Sequence, residues 1–79
     1  MTPAQCRAAR ALLNWTQTDL AKRAGIGIAT VLNFEAGATI MRANTAVIKI
    51  AFEAANIEFI DDSAASPDGG EGVRFRPVT

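Results

Sequence analysis

Residues 15–37 read WTQTDLAKRAGIGIATVLNFEAG and hold the signals of two short helices joined by a tight turn. Thr16 is a helix-capping residue, and Asp19 stands where a capping carboxylate belongs. Trp15 precedes the cap and Leu20 lies at the fourth helical position, the spacing of a hydrophobic staple. Lys22 and Arg23 suit the negative end of a helix, and Gly25 ends it. The spacing predicts a helix over 17–24, a tight turn, and a second short helix over about 27–36, closed by Gly37. Ile26, Thr30, Val31 and Phe34 form the inward stripe of that helix. Its outward positions are Gly27, Ile28, Ala29, Leu32 and Asn33, with no lysine or arginine among them.

Working outward, TPAQCRAARALL carries a helix start. Thr2 caps, Pro3 suits the first position, and Gln5 completes a capping box. A helix is expected over 3–13, with Cys6, Ala9 and Leu13 on one face. A fourth helix is expected from about residue 44 to 55, with Val47, Ile48, Ala51, Phe52 and Ala55 inward. Asn56 suits the left-handed conformation that ends it.

Beyond it, IEFI and VRFRPV alternate as strands do, separated by the polar stretch DDSAASPDGGEG. The expectation is a domain over 1–60, a flexible acidic loop over 61–72, and a strand or tail over 73–79. In a hairpin, Ile57, Phe59, Val73 and Phe75 share one face, and Glu58 and Arg74 pair on the other. A disordered tail is the alternative, because a lone two-stranded hairpin is marginal in water.

The chain has 79 residues and zero formal net charge. Residues 1–50 carry six basic side chains (Arg7, Arg10, Lys22, Arg23, Arg42, Lys49) against Asp19 and Glu35, a net of +4. Residues 51–79 carry Arg74 and Arg76 against six acids, a net of −4. Such asymmetry hints at a polyanion partner for the basic part, though any soluble surface needs charge. No apolar run approaches the roughly 18 residues of a membrane span. The start MTPAQCRAAR lacks a signal pattern, so a soluble cytoplasmic protein is expected. The single cysteine, Cys6, has no cysteine or histidine to share a metal or disulfide with, and reads as a small core residue.

An enzyme is not expected. The chain has no histidine, no metal-binding cluster, no phosphate-cradling loop and no nucleophile beside a base. No cofactor is expected either.

Thr16-Gln17, Leu20-Ala21, Ala24-Gly25-Ile26, Thr30-Val31, Phe34-Glu35 and Gly37 together resemble the Cro and lambda-repressor-like (XRE) helix-turn-helix family. The flanks resemble a compact bacterial subgroup of its regulators. The resemblance implies a mainly α fold, a lambda-repressor-like bundle of four short helices. It implies a DNA-binding regulator of transcription, acting as a homodimer on a symmetric operator. It also implies roles. Gln17 matches the glutamine that bonds a DNA phosphate. Arg10 and Glu35 match a structural ion pair. Gly27, Ile28, Ala29, Leu32 and Asn33 match the base-reading positions, and Arg42 follows the third helix on a connection bordering the DNA backbone. Lys22 and Arg23, with Arg7 and Lys49, are further phosphate candidates.

The outward face departs from the family, which often has serine at position 27 and polar residues at 28, 29 and 32. Asn33 can pair with adenine, and Ile28, Ala29 and Leu32 can touch thymine methyl groups. The same apolar face suits a second function: an anti-activator module that has lost DNA binding and binds another transcriptional regulator.

Overall fold

The computed structural model describes residues 1–61 and 70–77. Four helices are followed by a two-stranded hairpin: α1 (Pro3–Leu13), α2 (Gln17–Ala24), α3 (Ile28–Glu35), α4 (Arg42–Ala54), β1 (Ile57–Ile60) and β2 (Gly72–Phe75). The architecture is therefore a mainly α helical bundle with a small antiparallel hairpin.

Local chemistry sets most boundaries. Thr2 and Gln5 form the expected capping box on α1, and Thr16 and Asp19 form another on α2. Left-handed residues close the helices: Asn14 (φ 56°) after α1, Gly25 (φ 71°) after α2 and Asn56 (φ 73°) after α4. Gly25 is the natural residue for such a stop, because it lacks the Cβ that strains this conformation. The turn then closes with the Ile26 N–H donating to the Ala21 carbonyl at 3.0 Å.

Two helix starts differ from the sequence expectation. Helix α3 begins at Ile28, and Gly27 is its cap, contributing no side-chain bond. Helix α4 begins at Arg42, two residues before the expected start at Asn44. The N–H groups of Asn44 and Thr45 both donate to the Met41 carbonyl, at 2.9 and 3.2 Å. The first turn thus closes on the Met41 backbone, with no side-chain cap. Arg42 is consequently a helical residue, not part of a loose connection.

The core draws on every helix and the first strand. Cys6 and Ala9 from α1, Leu20 and Ala21 from α2, Val31 and Phe34 from α3, Ile48 and Phe52 from α4, and Ile57 from β1 are buried together. Phe52 is fully buried. Its ring stacks on Trp15 at 5.7 Å and meets the edge of Phe59 at 6.0 Å. Burying a side chain of this size contributes roughly 1.5–3 kcal/mol. The inward stripes read from spacing are thus the stripes that pack, with Ile26, Thr30 and Leu13 half-buried at their margins.

The hairpin is ordered onto this bundle. Ile57 pairs with Phe75, Glu58 with Arg74, Phe59 with Val73, and Ile60 with Gly72. Arg74 Nε donates to Glu58 Oε2 at 2.8 Å, as the alternation anticipated. Strand β2 begins at Gly72, one residue before the start at 73 that alternation predicts. Of the expected loop, residues 62–69 lie outside the described residues, as do residues 78–79.

A buried amide joins the hairpin to α1. Gln5 accepts from the Thr2 N–H through Oε1, completing the capping box. Its Nε2 donates to the carbonyls of Ile60 and Gly72, at 3.1 and 3.0 Å. Thr2 Oγ1 in turn donates to Glu71 at 2.7 Å. A two-stranded sheet that is marginal alone is thereby tied to the helix through both of its strands.

Candidate nucleic-acid interface

Glu35 is the hub behind the α2–α3 pair. It ends α3 facing the core, with a side chain only 4% exposed. Arg10 Nε donates to its Oε2 and Arg10 Nη2 to its Oε1, both at 2.7 Å. Cys6 Sγ donates to Oε2 at 3.2 Å, and Gln17 Nε2 to Oε1 at 3.1 Å. Arg10 Nη1 also reaches the Trp15 carbonyl. A buried carboxylate needs such partners, because burial alone penalises its charge. Burial does push the Glu35 carboxyl upward, but the bonds from Arg10, Cys6 and Gln17 outweigh it and hold it below the ordinary value. The hydrogen bond to Glu35 raises the Arg10 guanidinium in turn. Burial, then the bond to this carboxylate and its charge, pushes the Cys6 thiol well above the usual range.

The constellation fixes α1, the start of α2 and the end of α3 relative to one another. On the opposite side of α3, Ile28, Ala29, Leu32 and Asn33 are exposed. Ile28 is 42% and Leu32 is 44% exposed. Asn33 makes no side-chain hydrogen bond within the described residues. Gly27, at the head of the helix, is open: a Cβ there would meet nothing within 4 Å. The five outward positions therefore lie on one solvent-facing edge of the molecule, as the helical spacing required.

The cationic candidates divide. Arg7 donates to the Glu35 backbone carbonyl, so its guanidinium sits at the negative end of α3. Arg23 lies over the Trp15 ring, 4.8 Å from its centroid. A stacked guanidinium keeps its charge and its in-plane donors, so this position remains compatible with a phosphate contact. Lys22, Arg42 and Lys49 are exposed and make no side-chain bond within the described residues. Gln17 is shared: one amide hydrogen is held by Glu35, while its second hydrogen and its oxygen have no partner there.

Three of these contacts were beyond sequence reasoning. The capping pattern located Gln5, but nothing in the spacing signals a bond to carbonyls 55 and 67 residues away. Cys6 on Glu35 and Arg7 on the end of α3 likewise depend on how α1 crosses α3.

Among the described residues, no helix is long and apolar enough to cross a membrane. No curated protein matches the chain. The family model described as Helix-turn-helix matches residues 7–58, from α1 into β1. That family comprises DNA-binding regulator domains, not enzymes. Its match spans the α2–turn–α3 unit, the Arg10–Glu35 pair and the exposed edge of α3, and the chain belongs to the Cro and lambda-repressor-like (XRE) helix-turn-helix family.

Proposed function

We propose that this protein is a cytoplasmic DNA-binding regulator of transcription, acting as a homodimer on a two-fold symmetric operator. The observation that carries this reading is the α2–α3 pair, with α3 braced from behind by Glu35 and bare on its outer edge. In this reading α3 enters the major groove with Gly27, Ile28, Ala29, Leu32 and Asn33 toward the bases. Asn33 is the adenine reader, since its free carboxamide can both donate and accept. Gln17, Lys22, Arg23 and Arg42 contact phosphates and supply most of the affinity. A dimer is supported by the small core and by exposed apolar side chains outside α3, among them Met41, Ile50 and Phe75.

Selection from a random duplex pool tests the proposal. The selected duplexes should share a symmetric sequence. Arg42→Ala should weaken binding to all of them, whereas Asn33→Ala should relax preference at one base pair. Failure to retain any duplex at low salt would refute the proposal.

The exposure of Ile28 and Leu32 favours one second reading, in which α3 binds another transcriptional regulator and the protein acts as an anti-activator. Ile28→Asp and Leu32→Asp should then abolish a protein complex without unfolding the domain. Partner binding unchanged in both variants would exclude this reading.

A further inference from the structure

The outer edge of α3 has a chemistry narrower than groove binding in general. Its exposed side chains are Ile28, Ala29, Leu32 and Asn33, and three of these four have neither donor nor acceptor. Guanine is read in the major groove chiefly by arginine or lysine, and α3 has neither. Its one charged residue, Glu35, is turned into the core under Arg10. The apolar feature of a base edge in the major groove is the methyl group on C5 of thymine.

Charge identifies what covers this apolar edge. Residues 1–50 carry a net of +4, and both of their carboxylates are engaged, Asp19 in the α2 cap and Glu35 in the buried pair. An apolar strip carried by a net-positive, carboxylate-poor segment complements a polyanion that bears methyl groups.

We infer that the exposed edge of α3 reads C5-methyl groups in duplex DNA, accepting thymine and 5-methylcytosine alike, so that cytosine methylation strengthens binding. The inference rests on the DNA-binding reading above. Thymine and 5-methylcytosine hold the methyl on the same ring carbon. They differ at ring position 4, where thymine has a carbonyl acceptor and cytosine an amino donor. Ile28, Ala29 and Leu32 have no group with which to sense that difference.

The test is a fluorescence anisotropy titration of the full chain with short duplexes of alternating A·T, A·U, G·C and G·5-methylcytosine pairs. Uracil lacks only the methyl of thymine. Each contacted methyl is expected to change affinity about fourfold. A·T should therefore bind tighter than A·U, and methylated G·C tighter than unmethylated G·C, by similar factors. In the Ile28→Asn/Leu32→Asn double variant, shown to be folded by circular dichroism, both preferences should vanish while residual binding persists. Equal affinity within each pair, or preferences that survive in the double variant, would overturn the inference and leave DNA binding intact. Absence of binding to all of the duplexes would overturn the DNA reading and the inference with it.

Discussion

Arg10 grips Glu35 with two bonds of 2.7 Å, joining the last turn of α1 to the last residue of α3 across 25 positions of sequence. Glu35 is the more deeply buried partner, with its side chain 4% exposed against 19% for Arg10. The two are therefore not equivalent when removed. Arg10→Met strands a buried carboxylate that keeps only Cys6 and Gln17, and should cost about 3–5 kcal/mol. Replacing both residues by methionine should recover a large part of that loss. Urea unfolding of the single and double variants measures this. A loss below about 1 kcal/mol for Arg10→Met would mean that the pair behaves as an ordinary surface bridge.

The same carboxylate makes stability depend on acid. The Glu35 carboxyl lies below its ordinary value of 4.5 in the folded state. A depressed acid contributes stability that is present above the unfolded value and is lost as pH falls through the folded one. Thermal stability should thus hold from neutrality down to about pH 5 and fall below the ordinary glutamate range. The fall should be shallower in Glu35→Gln, which carries no charge to protonate. Parallel acid titrations of both proteins by circular dichroism check the sign and the window.

Cys6 should be chemically silent in the native protein. It is fully buried, and its thiol is pushed upward by burial and by the Glu35 carboxylate. The thiolate is the reactive species, so modification must wait for opening of the core. A disulfide reagent at pH 8 should label Cys6 no faster than the domain unfolds, and at once in strong urea. Rapid stoichiometric labelling of the folded protein would contradict the burial of α1 against α3.

Gln5→Glu separates the two tasks of Gln5. The change retains an acceptor for the Thr2 N–H, so the capping box on α1 survives. It removes the amide hydrogens and faces the carbonyls of Ile60 and Gly72 with an acceptor. The variant should lose about 2 kcal/mol even though glutamate is a good residue at this helix position. Amide exchange in β1 and β2 should accelerate more than exchange in α1. A stability equal to the parent would show that the clamp contributes nothing.

Gly27→Ser should stabilise the domain. Gly27 has the extended conformation of a cap residue, φ −71° and ψ 148°, and α3 has no side-chain cap. The space beside it is open. Serine there can accept from the first turn of α3 and should add a few tenths of a kcal/mol. Thermal unfolding should shift upward by about 1–3 °C. A decrease would mean that the open position does not accept a cap.

The bundle was legible because its signals are local. Capping boxes at Thr2 and Thr16, the glycine stop at Gly25 and the apolar spacing of α3 and α4 each act within a few residues. The Glu58–Arg74 pair followed from alternation alone. Helix α4 starts two residues before the expected position because its first turn closes on the Met41 carbonyl, a backbone acceptor that leaves no residue signature. The clamp of Gln5 on the hairpin was invisible for a related reason: its partners are backbone carbonyls, which leave no residue-specific signature. Gln17 and Arg7 read as candidate phosphate contacts in the sequence. Their engagement by Glu35 depends on how α1 crosses α3, for Arg7, and on how the start of α2 meets the end of α3, for Gln17, and spacing encodes neither.

In the proposed function, the braced α2–α3 pair holds DNA. This binding is tested most directly by fluorescence anisotropy of the intact protein on duplex DNA from its own locus, at two salt concentrations. With Lys22, Arg23 and Arg42 on phosphates, a dimer engages roughly six cations, and affinity should fall about a thousandfold between about 50 and 200 mM salt. No anisotropy change at low salt, on that duplex or on a random one, would contradict DNA binding by this pair.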